Sequence, residues 1–226
     1  MRSSTTCTYL LCRYLLIGPA LHLIGRPRIR GREHVPRRGP VILAANHLAV
    51  LDSFYLTLAA RRPTVFLAKS EYFDGAGIAG ALRRRFFSAL GQVPVDRAGG
   101  SAAAPAIESA VGIVRGGGAW GIHPEGTRSP DGRLYRGRTG AVRVAMETGA
   151  PLLPVAITGT GDDTSIAQWR RRVSVEILPP LDLAPFRSAG PDGVRAATDV
   201  LMHTIGSRTG QEMVDSYAKS WTPQSN

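Results

Sequence analysis

Residues 41–52, Val-Ile-Leu-Ala-Ala-Asn-His-Leu-Ala-Val-Leu-Asp, decide the fold. The apolar run at 41–45 predicts a buried strand, and residues 53–60 predict a helix. His47 therefore falls where a strand ends, which is where α/β sheets place their functional sites. An imidazole there can accept a proton near neutral pH, and we expect Asp52 to fix its tautomer and to stabilise the imidazolium that forms.

The spacing of His47 and Asp52 argues against a metal site. These residues do not share a helix face as the i,i+4 ligand pairs of helical metal sites do, and no His-Glu-x-x-His occurs. We therefore predict no metal site. A bound cofactor is not predicted either. The pair taken alone has a second interpretation, in which His47 is an ordinary loop histidine and Asp52 a favourable charge at a helix N-terminus. The rest of the chain has to decide between these interpretations.

Composition indicates one folded domain with an anionic partner. The chain has 226 residues, of which 43% are hydrophobic, and a net charge of +11. All but two of its 28 basic residues are arginine, which binds phosphate bidentately, although a codon bias alone would give the same excess of arginine over lysine. The partner could be phospholipid headgroups, an acidic carrier protein, a phosphorylated substrate or nucleic acid. The only cysteines, Cys7 and Cys12, predict no disulfide framework and favour a reducing, cytoplasmic setting.

An apolar segment precedes the domain at residues 8–24, and Arg13, Pro19 and His22 interrupt it. A bilayer span needs roughly 20 apolar residues. We therefore predict a helix lying at the membrane interface, although a helix packed on the protein's own core fits as well. The predicted organisation is a membrane-interface segment at 1–25, one domain at 26–220 and a polar tail at 221–226. Basic residues that could contact headgroups follow the segment: Arg26, Arg28, Arg30, Arg32, Arg37 and Arg38.

Predicted strands and helices alternate along the rest of the chain, as in α/β proteins. Strands are predicted at 27–30, 64–68, 91–97, 119–123, 152–157 and 173–178, and helices at 102–114, 139–148, 194–205 and 211–218. Lys69 follows one strand, where a cation could face a phosphate or simply be solvated. Asp96 and Arg97 end another strand, where they could be no more than a surface ion pair.

A polar turn follows the predicted strand at 119–123, with the sequence Pro-Glu-Gly-Thr-Arg-Ser at 124–129. The proline fixes the approach of the chain, and Gly126 lets backbone amides come close to a ligand. Thr127, Arg128 and Ser129 supply hydrogen-bond donors. This combination suits an oxyanion, although a plain β-turn at a strand end has the same pattern.

Four motifs in this order resemble the glycerolipid acyltransferase family, from about residue 25 to 218. They are Asn46-His47 with Asp52, residues 91–97, residues 124–129, and Leu153-Pro154-Val155-Ala156. The resemblance implies an α/β fold with a mixed, largely parallel sheet flanked by helices. It also implies transfer of a fatty acyl chain from acyl-CoA or acyl carrier protein, as co-substrate, to the free hydroxyl of 1-acylglycerol-3-phosphate.

By this resemblance, His47 is the general base and Asp52 orients and charges it. The substrate-binding residues that it implies are Asn46, Lys69, Asp96, Arg97, Glu125, Gly126, Thr127 and Arg128. A thioester is already an activated acyl donor, so no serine or cysteine nucleophile is needed, and no Gly-x-Ser-x-Gly elbow occurs.

The chain departs from the family pattern at several positions. Ala49 stands where a serine is common, which removes a possible supporting hydrogen bond. His123 replaces an aromatic residue and could titrate or contact the phosphate. Arg136 and Arg138 stand where lysine is common.

Two other interpretations remain open at this point. A related enzyme would acylate another lysophospholipid, a glycolipid or a specialised metabolite. A non-catalytic basic protein would bind membranes or nucleic acid, which the net charge supports but no recognised nucleic-acid motif accompanies. For the enzyme, we expect a peripheral position at the cytoplasmic face of the cell membrane and no nucleic-acid partner.

Overall fold

The elements of the fold follow from a computed structural model that describes residues 17–69, 80, 92–95, 103–161 and 172–219. The strands are β1 (Arg28–Arg30), β2 (Val41–Ala45), β3 (Thr64–Lys69), β4 (Gln92–Val95), β5 (Ala119–Ile122), β6 (Leu134–Tyr135), β7 (Leu152–Thr158), β8 (Ser174–Ile177) and β9 (Met213–Val214). The helices are α1 (Ile17–Gly25), α2 (Asp52–Ala60), α3 (Ala103–Arg115), α4 (Gly140–Thr148) and α5 (Gly190–Thr209). Short 3₁₀ helices lie at Arg32–His34 and Ala184–Ala189.

A seven-stranded sheet forms the centre, in the order β1-β8-β7-β2-β5-β3-β4. Neighbouring strands are parallel except for β7 and β8, which are antiparallel. The pair β6 and β9 forms a separate parallel ribbon. The predicted mixed, largely parallel sheet is therefore confirmed, and β2 lies near its middle.

Helices cover both faces of the sheet, which explains why β2 is a continuous apolar run. Val41, Leu43 and Ala45 pack in one core cluster with residues of α1 and α2. Ile42 and Ala44 pack in the other with residues of α3, α4 and α5. All five side chains are fully buried. Burial on both faces holds the end of β2 in place, and with it the turn that carries His47.

Helix α1 packs on the core along one face. Leu21 belongs to the buried cluster, and the Tyr55 hydroxyl donates a hydrogen bond to its carbonyl oxygen at 3.3 Å. Leu23, on the other face, is 72% exposed. Across the described parts of the chain, no helix combines the length and the apolar character needed to cross a bilayer. Docking of α1 on a membrane stays a prediction.

One predicted helix is wrong. Residues 211–218 form no helix, because Gly210, with φ of 69°, ends α5 and the chain turns into β9. The amides of Leu134 and Arg136 donate to the carbonyl oxygens of Glu212 and Ser216 at 2.9 and 3.0 Å. The backbone of this segment is thus paired with β6. The other predicted strands and helices are present, with shifted ends, wherever the structure describes them, whereas residues 1–16, 96–97 and 221–226 lie outside the described residues.

Candidate active site

The turn after β2 is closed by the side chain of Asp52, the first residue of α2. Its Oδ2 accepts hydrogen bonds from the backbone amides of Leu48 at 2.6 Å and Ala49 at 2.7 Å. The carboxylate therefore shapes the turn through backbone donors. A serine hydroxyl at position 49 is not needed for these two contacts.

His47 and Asp52 form the predicted pair. His47 Nδ1 lies 3.0 Å from Asp52 Oδ2, and the Asp52 side chain is fully buried while that of His47 is 18% exposed. Because a carboxylate only accepts, Nδ1 carries the hydrogen, and in the neutral ring Nε2 then has the lone pair. The Asp52 Oδ1 is buried and has no hydrogen-bond partner among the described residues. The geometry thus presents Nε2 as a proton acceptor with a carboxylate behind it.

Glu125 connects this turn to β6. Its Oε1 accepts from the His47 backbone amide at 2.9 Å, and its Oε2 accepts from the Tyr135 amide at 3.1 Å. The side chain is fully buried. Burial raises its pKa to about 7, against the lowering effect of the two amide donors. The contacts that the structure gives Glu125 are structural, and its predicted part in substrate binding stays a prediction.

Asn46 is also turned inward. Its side chain exchanges two hydrogen bonds of 2.8 Å with the backbone of Ile157 in β7. Its Nδ2 also donates to Gln211 Oε1 at 2.9 Å. Asn46 is fully buried. Its hydrogen bonds hold the backbone immediately before His47 against β7.

His123 lies directly on His47. The two rings are stacked, with centroids 3.9 Å apart and planes inclined by 10°. Burial is the main reason that the pKa of His123 falls to about 3, and the neighbouring His47 lowers it further. Of the two possibilities that the sequence left open for this residue, burial disfavours titration near neutral pH, and the ring stays neutral there.

A backbone hydrogen bond connects the turn at 124–129 to His47. The Ser129 amide donates to the His47 carbonyl oxygen at 2.8 Å, and the Arg138 amide donates to that of Pro124 at 2.7 Å. Gly126 has φ of 79°, and a Cβ there would meet Arg138 Nε at 2.7 Å. This backbone angle favours glycine, and its missing Cβ leaves room for the Arg138 side chain. Thr127 and Arg128 are partly buried in this turn.

Arg136 and Arg138 share one aromatic neighbour. Their guanidinium carbons lie 5.8 and 5.2 Å from the centroid of the Tyr217 ring, which is 47% exposed. Arg136 also pairs with Asp215 at 3.6 Å. The segment 211–217 thereby places an aromatic ring and a carboxylate on the basic residues that follow the 124–129 turn.

The remaining predicted residues are only partly placed. Lys69 ends β3, and its side chain lies outside the described part of the structure. Asp96 and Arg97 follow β4 in the sequence and also lie outside it. The structure brings Asn46, His47, Asp52, Glu125 and the 126–128 turn together. Sequence reasoning missed Gln211, Tyr217 and Ser53, whose Oγ lies 3.0 Å from His123 Nε2. Nothing in their local sequence indicates these contacts.

Several known proteins are similar to this chain in sequence. A 1-acyl-sn-glycerol-3-phosphate acyltransferase of Limnanthes alba is 30% identical over 174 residues, which are 75% of this chain but 59% of that relative. The alpha enzyme of the same name from Mus musculus is 28% identical over 198 residues, covering 84% of this chain and 66% of the relative. The chain thus spans about three fifths of the first relative and two thirds of the second.

A solved structure is similar over most of the chain. The crystal structure of the 1-acyl-sn-glycerophosphate (LPA) acyltransferase from Thermotoga maritima has a TM-score of 0.59 and 27% identity, and the match covers 84% of this chain and 74% of that one. The family model described as Acyltransferase matches residues 26–158. Since that match takes in more than half of the sequence, including His47, Asp52 and Glu125, the chain belongs to the acyltransferase family.

Proposed function

We propose that the protein transfers a fatty acyl chain from acyl-CoA or acyl carrier protein to the free hydroxyl of 1-acylglycerol-3-phosphate, giving phosphatidic acid for phospholipid synthesis. The observation that carries the proposal is the 3.0 Å contact between His47 Nδ1 and the fully buried Asp52 carboxylate. The relatives and the solved neighbour support the acceptor, since each is named for this activity.

The reaction needs one general base, and no covalent bond forms between the acyl chain and the enzyme. The acceptor hydroxyl gives its proton to His47 Nε2 while its oxygen forms a bond to the thioester carbonyl carbon. The carbon–sulfur bond then breaks, and His47 returns the proton to the departing thiolate. The Asp52 carboxylate stabilises the imidazolium between these steps. A positioned general base typically contributes about 10²- to 10⁴-fold to the rate.

The basic residues beside the turn support a phosphate-bearing acceptor. Arg138 lies against Gly126, and Arg128 belongs to the same turn. Arginine recognises phosphate with two parallel hydrogen bonds, which suits a monoester headgroup. In this proposal Lys69 and Arg97 add positive charge to the same site, with Asp96, Thr127 and the Gly126 amide as further contacts.

A peripheral position at the cytoplasmic face of the membrane fits the proposed substrate. The exposed face of α1 carries Leu23, and the exposed Arg26, Arg28 and Arg30 follow it directly. An apolar face beside arginines can bind anionic lipid by burial and by charge together. The acceptor, which is itself a lipid, would reach the site from that surface.

The test is acceptor-dependent thiol release from palmitoyl-CoA and oleoyl-CoA, and from acyl carrier protein loaded with the same chains. Wild type is compared with His47→Ala and with His203→Ala, an exposed histidine of α5 that serves as the matched control. We expect release with 1-acylglycerol-3-phosphate that His47→Ala abolishes and His203→Ala retains. Unchanged melting temperatures for both variants show that the loss is chemical.

Other outcomes have distinct meanings. Activity that requires a different lysophospholipid or a glycolipid overturns the acceptor but keeps the reaction. Near-normal activity of His47→Ala overturns the mechanism. Silence with every acceptor and both donors favours the non-catalytic basic protein, whose binding to anionic vesicles should collapse as salt rises.

A further inference from the structure

The His47 ring is held through its Cβ–Cγ bond and through the hydrogen bond of Nδ1 to Asp52. Because a hydrogen bond tolerates bending by tens of degrees, coupled rotation about χ1 and χ2 can still displace Nε2, the atom that must meet the acceptor hydroxyl. A contact on the face of the ring restricts that remaining motion. The stacked ring of His123, at 3.9 Å and 10°, lies where such a constraint has to act.

His123 is itself held on several sides. Its Nδ1 lies 3.1 Å from the Ala45 carbonyl oxygen and 3.0 Å from that of Asn46. Its Nε2 lies 3.0 Å from Ser53 Oγ. The carbonyls only accept, so Nδ1 carries the hydrogen and Nε2 accepts one from the Ser53 hydroxyl. Phe66 stacks on the same ring at 5.9 Å.

These contacts leave neither ring nitrogen of His123 available for catalysis. Both ring nitrogens are engaged with the protein, so neither can bind the acceptor phosphate or pass a proton without breaking a contact. The titratable groups around the ring are His47 in the stack, Asp52 behind it, and Glu125 two residues along the chain. A neutral ring can remain stacked when His47 becomes an imidazolium, whereas a charged one would repel it.

We infer that His123 is a positioning residue, which Ser53 and two backbone carbonyls hold in place so that its ring keeps the plane of His47 and the direction of Nε2 constant. The inference rests on His47 being the base of the proposed reaction. Ser53 directly follows Asp52, so adjacent residues control the two constraints: Asp52 holds Nδ1 of His47, and Ser53 holds the ring that stacks on it.

Three variants separate stacking from hydrogen bonding. His123→Phe keeps an aromatic ring without the polar contacts, His123→Ala removes the ring, and Ser53→Ala removes the anchor. We expect His123→Ala to lower kcat about 10- to 100-fold, with the KM for the acceptor changed less than about two-fold. His123→Phe, which keeps the stacked ring, should restore kcat to within about three-fold of wild type. Ser53→Ala keeps the ring and both carbonyl contacts, so its kcat should fall no further than that of His123→Phe.

The pH profile tests the alternative in which His123 carries protons. Because the stack needs no titration, His123→Phe should leave the profile of kcat unchanged between about pH 6 and 9. Loss of one limb of the profile in His123→Phe would overturn the inference. So would a kcat equal to wild type in His123→Ala, or a loss as deep in His123→Phe as in His123→Ala.

A measurement without turnover distinguishes failure of this inference from failure of the proposed function. NMR of histidine-labelled protein, with the His47 signals assigned by His47→Gln, reports the ring-current shift from the stacked neighbour. We expect an upfield-shifted His47 ring in wild type and His123→Phe and loss of that shift in His123→Ala. If wild type acylates no lysolipid but these shifts appear, the function fails and the positioning stands; their absence overturns the positioning alone.

Discussion

Gln211 and Asn46 are 165 residues apart in the chain, yet their side chains form a hydrogen bond of 2.9 Å. The Nε2 atom of Gln211 donates a hydrogen bond to the Gly132 carbonyl oxygen at 2.7 Å. One side chain after α5 therefore joins the loop that precedes β6 to the residue immediately before His47. Residues after α5 are therefore part of the structure that holds the His47 turn.

Removing this link should affect both stability and rate. We expect Gln211→Ala to lower the free energy of unfolding by about 1–3 kcal/mol, because two hydrogen bonds of about 0.5–1.5 kcal/mol each are lost. It should also lower kcat several-fold as Asn46 gains freedom. Denaturant unfolding and thiol release measure the two effects. Glu212→Ala is the control, since the Glu212 side chain is 73% exposed. Identical behaviour of the two variants would contradict the link.

Asp52→Asn should separate the charge of the carboxylate from its shape. An amide at this position can still accept one backbone hydrogen bond, but it carries no charge to stabilise the imidazolium. We expect kcat to fall at least about 100-fold while the fold survives. The exposed Asp192→Asn provides the comparison. Steady-state kinetics with less than a ten-fold difference between the variants would argue against Asp52 as the partner of the base.

Glu125 should make stability fall as the pH rises. Burial raises its pKa from the ordinary value of 4.5 to about 7, so the native state keeps the proton to a higher pH than the unfolded chain does. Its stabilising contribution is full below about pH 4.5 and is lost as the pH rises through about 7. The free energy of unfolding of wild type relative to Glu125→Gln should decline in that window by at most about 1.4 kcal/mol per pH unit. A flat difference would show that the carboxylate is ionised throughout.

His123 should have the opposite effect. Its pKa lies near 3 in the native state and at 6.5 ordinarily. Between these two values the unfolded chain is protonated at His123 and the native chain is not. The stability that a neutral His123 contributes is present above about pH 6.5 and is lost as the pH falls toward 3. Thermal melts between pH 7.5 and 4.5 should therefore show wild type losing stability relative to His123→Phe. Parallel melting curves would contradict the lowered pKa.

Tyr217 should act on acceptor binding more than on the chemical step. Its ring contacts two arginine side chains, and an exposed cation–π contact is worth about 0.5–1 kcal/mol. We expect Tyr217→Ala to raise the KM for a phosphate-bearing acceptor about three- to ten-fold with little change in kcat, and Tyr217→Phe to match wild type. An equal effect of both variants would point to the hydroxyl instead of the ring.

Local patterns were sufficient to predict the centre of the fold. The apolar run of β2, the helix after it and the turn between them all follow from residues that are neighbours in sequence. Periodicity indicated the strands. The short spacing of His47 and Asp52 predicted that the two side chains meet across one turn, and the order of the four motifs suggested a catalytic role for them. The positive charge around the 124–129 turn could also be read from the sequence alone.

Contacts between distant segments were decided by the tertiary structure. The helix predicted at 211–218 is a strand and irregular chain, because its backbone hydrogen bonds are satisfied by β6 and not within the segment. The stacking of His123 on His47 depends on β5 lying beside β2 in the sheet. By itself, the sequence determined which side chains carry charge and where strands end. Which of those ends meet, and which side chains lose water and shift their pKa, depended on packing, because burial and electrostatic coupling arise only when distant residues are brought together.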